Sequence, residues 1–181
     1  MLQALNMFLP LLTFPYIVRV IGVDYFGILN VVLSILMLFN IFISFGFELS
    51  STKMISTNRN DINKLSEIFF STLYSKFLLL IASVLIFILL FQNINYISEN
   101  IFLFYMTSGL LLGNLLFPTW FYQGIEQMKY ITIITTVIKV IATISIFIFI
   151  TEKNDYFLFP LINSIAGIIS GLVAIYFAIK K

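Results

Sequence analysis

Six apolar stretches, each close to the ~20 residues that cross a bilayer as a helix, fill nearly all of this 181-residue chain. Only short polar connectors separate them. Hydrophobic residues make up 61% of the composition and charged residues 10%, with a mean hydropathy of +1.08. A soluble domain of this size leaves a large share of its residues facing water and cannot hide that much apolar side chain. The runs are long, continuous and without period-two alternation, which argues against strands. The expected fold class is therefore all-α integral membrane, a six-transmembrane-helix bundle.

Composition removes several functions. The chain has no cysteine, hence no disulfide or thiolate metal site, and no histidine, the commonest general base and nitrogen ligand. A net charge of +2 is too small to suggest a nucleic-acid partner. Met1 to Leu12 is apolar without a basic flank or small-residue cleavage site, unlike a secretory signal. It reads as a chain that begins partway into its first span. Ending on Lys180-Lys181 directly after an apolar run likewise reads as an interrupted protein.

The spans are placed at about residues 1–20, 26–47, 68–91, 101–122, 130–150 and 156–179, all within one domain, 1–181. Pro10 and Pro15 should kink the first, and Pro118 lies near the end of the fourth. The polar connector Glu48 to Glu67 reads as a solvated loop, and Gln92 to Asn100 as a short one. Alternate connectors collect the basic residues: Lys53, Arg59, Lys64, Lys129, Lys180 and Lys181 on one side against Arg19 and Lys153 on the other, six to two. The richer side, which holds both ends of the chain, is expected to be cytoplasmic. Tyr96, Tyr122, Tyr130 and Tyr156 near span ends fit an aromatic belt.

Function must be sought in the polar groups kept inside the membrane. In the fifth span Thr132, Thr135, Thr136, Lys139 and Thr143 form one stripe at about 100° per residue. Asn30, Ser34, Ser44 and Glu48 share a face of the second span, with Asn40 at its margin. Thr72, Ser75, Lys76 and Ser83 cluster on the third, and Asn163, Ser164, Gly167, Ser170, Gly171 and Ala174 on the sixth. Turned inward, these faces would surround a hydrated cavity. The plainer reading of the small and hydroxyl residues is helix packing, above all for Gly109-x-x-x-Gly113 and Gly167-x-x-x-Gly171. Lys139 is different, because an ammonium near mid-membrane needs a counter-ion or water. Lys76 can reach back toward the interface, Arg19 can anchor at headgroups, and Glu48 and Glu126 read as interfacial or structural. Paired carboxylates on one face, a base for a serine and a phosphate-cradling glycine loop are all missing, so transport fits better than catalysis. The chain is expected not to be an enzyme and to need no cofactor or metal.

Two segments are recognisable. Leu9-Pro10-Leu11-Leu12-Thr13-Phe14-Pro15-Tyr16-Ile17-Val18-Arg19-Val20-Ile21-Gly22, continuing through Asp24-Tyr25-Phe26-Gly27, is one. Phe117-Pro118-Thr119-Trp120-Phe121-Tyr122-Gln123-Gly124-Ile125-Glu126-Gln127-Met128-Lys129-Tyr130, followed by Ile138-Lys139-Val140, is the other and the more specific. Both closely resemble the bacterial polysaccharide flippases that move O-antigen and capsule repeat units, within the multidrug/oligosaccharidyl-lipid/polysaccharide exporter superfamily. The resemblance runs along essentially the whole chain. It implies one six-helix lobe, the amino-terminal one, of a two-lobed alternating-access transporter. It implies translocation of undecaprenyl-pyrophosphate-linked oligosaccharide across the cell inner membrane, with membrane lipids and the polysaccharide polymerase machinery as further partners. Lys139, Arg19 and Lys76 would face the pyrophosphate, while polar positions such as Asn30 and Thr136 would bind sugar hydroxyls. The competing readings are a cation-coupled drug or metabolite antiporter of the same fold, which calls for an acidic residue deep in a span, and a scaffold subunit that transports nothing.

Overall fold

The computed structural model describes residues 2–91 and 94–180, and among them every regular element is helical. In chain order these are α1 (Leu2–Ile21), α2 (Val23–Ser44), α3 (Phe47–Thr57), α4 (Ile62–Phe91), α5 (Asn95–Glu99), α6 (Ile101–Leu116), α7 (Thr119–Gly124), α8 (Met128–Phe149) and α9 (Leu158–Ile179). A single 3₁₀ turn, Lys153–Phe157, leads into α9. Five helical stretches are long and apolar enough to cross a membrane, and a shorter apolar one, Phe8–Ile21, lies in α1. Large side chains on their outer faces, such as Leu38 at 68% and Leu89 at 76% exposure, stand where lipid would meet them. The chain is an all-α, multi-pass membrane bundle.

The largest departure from the sequence expectation is the segment 48–67. It is helical over most of its length instead of a solvated loop: α3 covers its first part and α4 begins at Ile62, capped by Asp61, whose Oδ1 accepts the Lys64 N–H at 3.1 Å. Hydropathy overlooks α3 because eleven mixed residues cannot span a bilayer. Its stability comes from packing Ser51 and Ile55 into the bundle. Between α2 and α3 the chain breaks at Phe45 (φ 27°) and Gly46 (φ 78°). A Cβ on Gly46 would meet open space, so glycine serves here for its left-handed backbone and not for close packing.

α6 and α9 run alongside each other in the same direction, and their glycines are the reason they approach so closely. A Cβ on Gly113 would lie 2.6 Å from the Gly167 carbonyl carbon, and one on Gly171 2.5 Å from the Leu116 Cβ. Both glycine pairs are thus packing seams, facing one another. Ser164 seals the seam by donating to the Met106 carbonyl at 2.6 Å.

Two apolar clusters hold the bundle. One gathers Ile17, Ile21, Leu29, Val32, Leu103, Phe104, Ile146 and Ile150 toward one end. The other packs Ile55, Ile68, Phe69, Trp120, Phe121, Tyr122, Ile134 and Ala174 at the opposite end, where α3 and α7 sit. Tyr122 belongs to this second cluster and donates to the Ala174 carbonyl at 2.6 Å. It is fully buried and not an aromatic-belt anchor, because the chain turns inward at Pro118 and carries the α7 aromatics with it. Arg59 closes the same end: its Nε donates to the Gly124 carbonyl at 2.7 Å and it pairs with Glu126 at 2.8 Å.

Candidate functional site

Proline chemistry builds the most unusual contact in the bundle. Pro10 has no N–H, so the carbonyl four residues earlier, that of Asn6, loses its helical donor. The Lys139 ammonium, midway along α8, donates to this same carbonyl at 3.0 Å. Asn6 also donates through its side-chain amide to Thr136 Oγ1 at 2.8 Å, which locks α1 to α8 beside the lysine. The Asn6 Oδ1 is buried with no partner among the described residues. Nor is any carboxylate there within ion-pair distance of Lys139. Lys139 is therefore a half-buried cation held by a neutral carbonyl, its charge uncompensated.

Lys76 stands in the opposite situation. It is buried, 1% exposed, and its ammonium meets the Glu48 carboxylate at 3.4 Å. It does not reach back to the interface, since α3 folds over α4 and supplies the acid. One turn along, Ser51 and Thr72 share a buried hydrogen bond of 3.0 Å that fixes the same pair of helices. Glu48 is correspondingly no loop-end residue. It sits just past the Gly46 break and is 40% exposed.

That exposure opens into a polar cavity of about 310 Å³ between α2, α6, α8 and α9. Asn40, Ser44 and Glu48 line one wall, Asn114 and Phe117 a second, and Thr135 and Ser170 complete it. A second, mostly apolar crevice of about 450 Å³ lies between α2, α4 and α6, against Phe39, Phe87 and Phe104.

Of the residues singled out in sequence, the fold unites Lys139 and Thr136 and leaves the others apart. Arg19 is exposed near the far end of α1, with no hydrogen-bond or ion-pair partner among the described residues. Asn30 is exposed as well, its amide donating to the Phe26 carbonyl of its own helix at 2.7 Å. The α8 stripe divides: Thr136 and Lys139 turn to α1, whereas Thr135 turns to the polar cavity. Sequence reasoning passed over Asn6 and Asn114. Each stands four residues before a proline, Pro10 and Pro118, the position whose carbonyl a proline leaves unpaired. That spacing was the available signal.

The pattern shared by the family described as polysaccharide biosynthesis protein matches residues 1–181, the whole chain. The chain belongs to this family. Among curated proteins it is similar to a "Putative O-antigen transporter" of Escherichia coli (strain K12), 29% identical over 180 residues, covering 99% of this chain and 43% of that protein. It is also similar to a protein of the same description from Shigella dysenteriae, 32% identical over 180 residues, covering 97% of this chain and 44% of the relative. The chain thus spans under half the length of the curated relatives it matches. No solved structure matches it at a significant level. Within a polysaccharide biosynthesis family whose matched relatives carry a transporter's description, the membrane bundle and its internal polar groups are the features to explain.

Proposed function

We propose that the whole protein translocates lipid-linked oligosaccharide repeat units, carried on undecaprenyl pyrophosphate, across the cell inner membrane for surface polysaccharide synthesis. This chain supplies one lobe, residues 1–181, with its basic end cytoplasmic. The observation that carries the reading is Lys139: a cation inside a membrane bundle, held by a proline-freed carbonyl, with no carboxylate among the described residues within ion-pair distance. An anionic pyrophosphate crossing a low-dielectric interior needs such a charge, and a carbonyl is easily exchanged for a phosphate oxygen. Asn6 and Thr136 position the ammonium. Arg19, exposed toward the other end of α1, would meet the same group later in its passage. Lys76 is bound to Glu48 and supports the wall instead of the cargo.

A cation-coupled antiporter draws on Glu48, an acid that does face a cavity. Its carboxylate is committed to a buried ammonium, however, and releasing it would strand that charge. The family and its transporter-named relatives favour the glycan reading.

The test is made in the full-length protein. Lys139→Ala should cut export of the lipid-linked glycan at least about tenfold at unchanged abundance, the size of one lost charge-assisted contact. Lys139→Arg should retain most of it. Normal export by the alanine variant would end the proposal for Lys139.

A further inference from the structure

Lys76, buried, and Lys139, half-buried, differ in their partners, and the difference sorts the interior into two chemistries. Lys139 donates to a neutral carbonyl and has no carboxylate partner among the described residues. Lys76 is matched by Glu48, so the one carboxylate lining the cavity is neutralised from behind by a buried ammonium, and the rest of the lining is amides, hydroxyls, the Phe117 ring, Ile131 and two glycines. A neutral cavity does not select a phosphate. It presents an acceptor in the Glu48 carboxylate, and the Asn40 side chain lines the same wall with its Oδ1 buried and without a partner among the described residues. Asn114 offers both an amide donor and an acceptor, and Thr135 and Ser170 offer hydroxyls. Phe117 contributes an apolar face. Such a mixture suits a neutral polyhydroxylated ring, whose C–H faces lie on aromatic carbon while its hydroxyls both donate and accept. The volume, about 310 Å³, gives room for one sugar unit.

We infer that the cavity between α2, α6, α8 and α9, lined by Asn40, Glu48, Asn114, Phe117, Thr135 and Ser170, is a binding subsite for one neutral sugar of the cargo. Its recognition is separate from the charge contact at Lys139. The inference rests on the function proposed above. Its geometry agrees with that function, because Thr135 lies one helical turn, about 6 Å, from Lys139 along α8. A sugar held in the cavity would thus keep a neighbouring pyrophosphate within reach of the ammonium. The Glu48–Lys76 pair fixes the carboxylate in place, and the break at Gly46 lets α3 deliver it there.

The absence of cysteine from this chain makes a labelling test direct. In the full-length protein, cleared of any cysteines elsewhere, Thr135→Cys and Ser170→Cys are introduced singly and reacted with a small methanethiosulfonate reagent. The soluble repeat-unit oligosaccharide, freed from its lipid, should slow labelling at both positions at least threefold. Inorganic pyrophosphate should leave both rates unchanged. Protection by pyrophosphate alone, or by neither probe, would overturn the inference. A transport arm separates this from the wider proposal. Asn114→Ala should lower export of the cognate glycan about tenfold, yet leave a glycan lacking the sugar that fills the cavity unaffected. Equal loss of both glycans at normal abundance, or loss of neither, counts against the subsite. If deleting the full-length gene leaves the export of every glycan intact, the function itself is at fault instead.

Discussion

At the scale of single residues, partner choice decides what each charge can do. Glu48 exists to neutralise Lys76, so Glu48→Gln leaves a buried ammonium with no counter-ion. Because Glu48 is partly exposed, we expect a loss of about 2 kcal/mol, below the ~3–5 kcal/mol of a fully buried pair. Adding Lys76→Met to that variant should recover most of the stability, read as thermal unfolding of detergent-purified full-length protein. Recovery absent in the double variant would mean that the loss in Glu48→Gln does not come from the stranded ammonium. Glu126 is a different kind of partner, outside the spans and exposed. The hydrogen bond and charge of Arg59 hold its carboxyl below the ordinary carboxylate range. A depressed folded-state value contributes stability that is present above the unfolded value and lost as pH falls through the folded one. Protection factors of the amides around Gly124 to Gln127, taken against the intrinsic rate at each pH, should therefore fall on acidification through the carboxylate range, and Glu126→Gln should abolish that dependence.

Among elements, the α6–α9 seam is the least forgiving contact. Gly113→Ala forces a Cβ against the Gly167 backbone and should cost about 1–3 kcal/mol, the range for overpacking. Gly167→Ala meets only ordinary contact, 3.6 Å from the Gly113 Cα, and replaces glycine within a helix. It should be neutral or stabilising by up to ~1 kcal/mol. Parallel melting curves compare the two, and equal destabilisation would contradict the asymmetry of the seam. α3 answers to a different rule. Ser51 to Thr72 and Thr52 to the Trp120 carbonyl tie it to α4 and α7, and Arg59, in the turn just past its end, adds a bond to Gly124, so a helix of mixed composition is ordered by its neighbours.

The whole molecule places Lys53, Arg59, Lys64, Lys129 and Lys180 around the end formed by α3, α7 and the close of α9, with Arg19 and Lys153 toward the other. If the basic end faces the cytoplasm, Asn60→Cys should resist a membrane-impermeant thiol reagent in intact cells while Asn154→Cys reacts. Reversed labelling would invert the orientation proposed here.

Hydropathy and length are local properties, which is why the sequence alone determined an all-α membrane bundle: a run such as Tyr130 through Ile150 has one stable solvent whatever its neighbours do. The Phe117 to Tyr130 segment likewise carried the family resemblance without any fold. Tertiary structure alone decided which polar groups meet. Lys139 finds Asn6 across 133 positions and Lys76 finds Glu48 across 28, distances over which no helical periodicity speaks. A stripe drawn on one helix gives the side a residue faces but not what faces it. So Thr135 and Thr136, adjacent in the chain, are turned to different neighbours, one to the polar cavity and the other to α1.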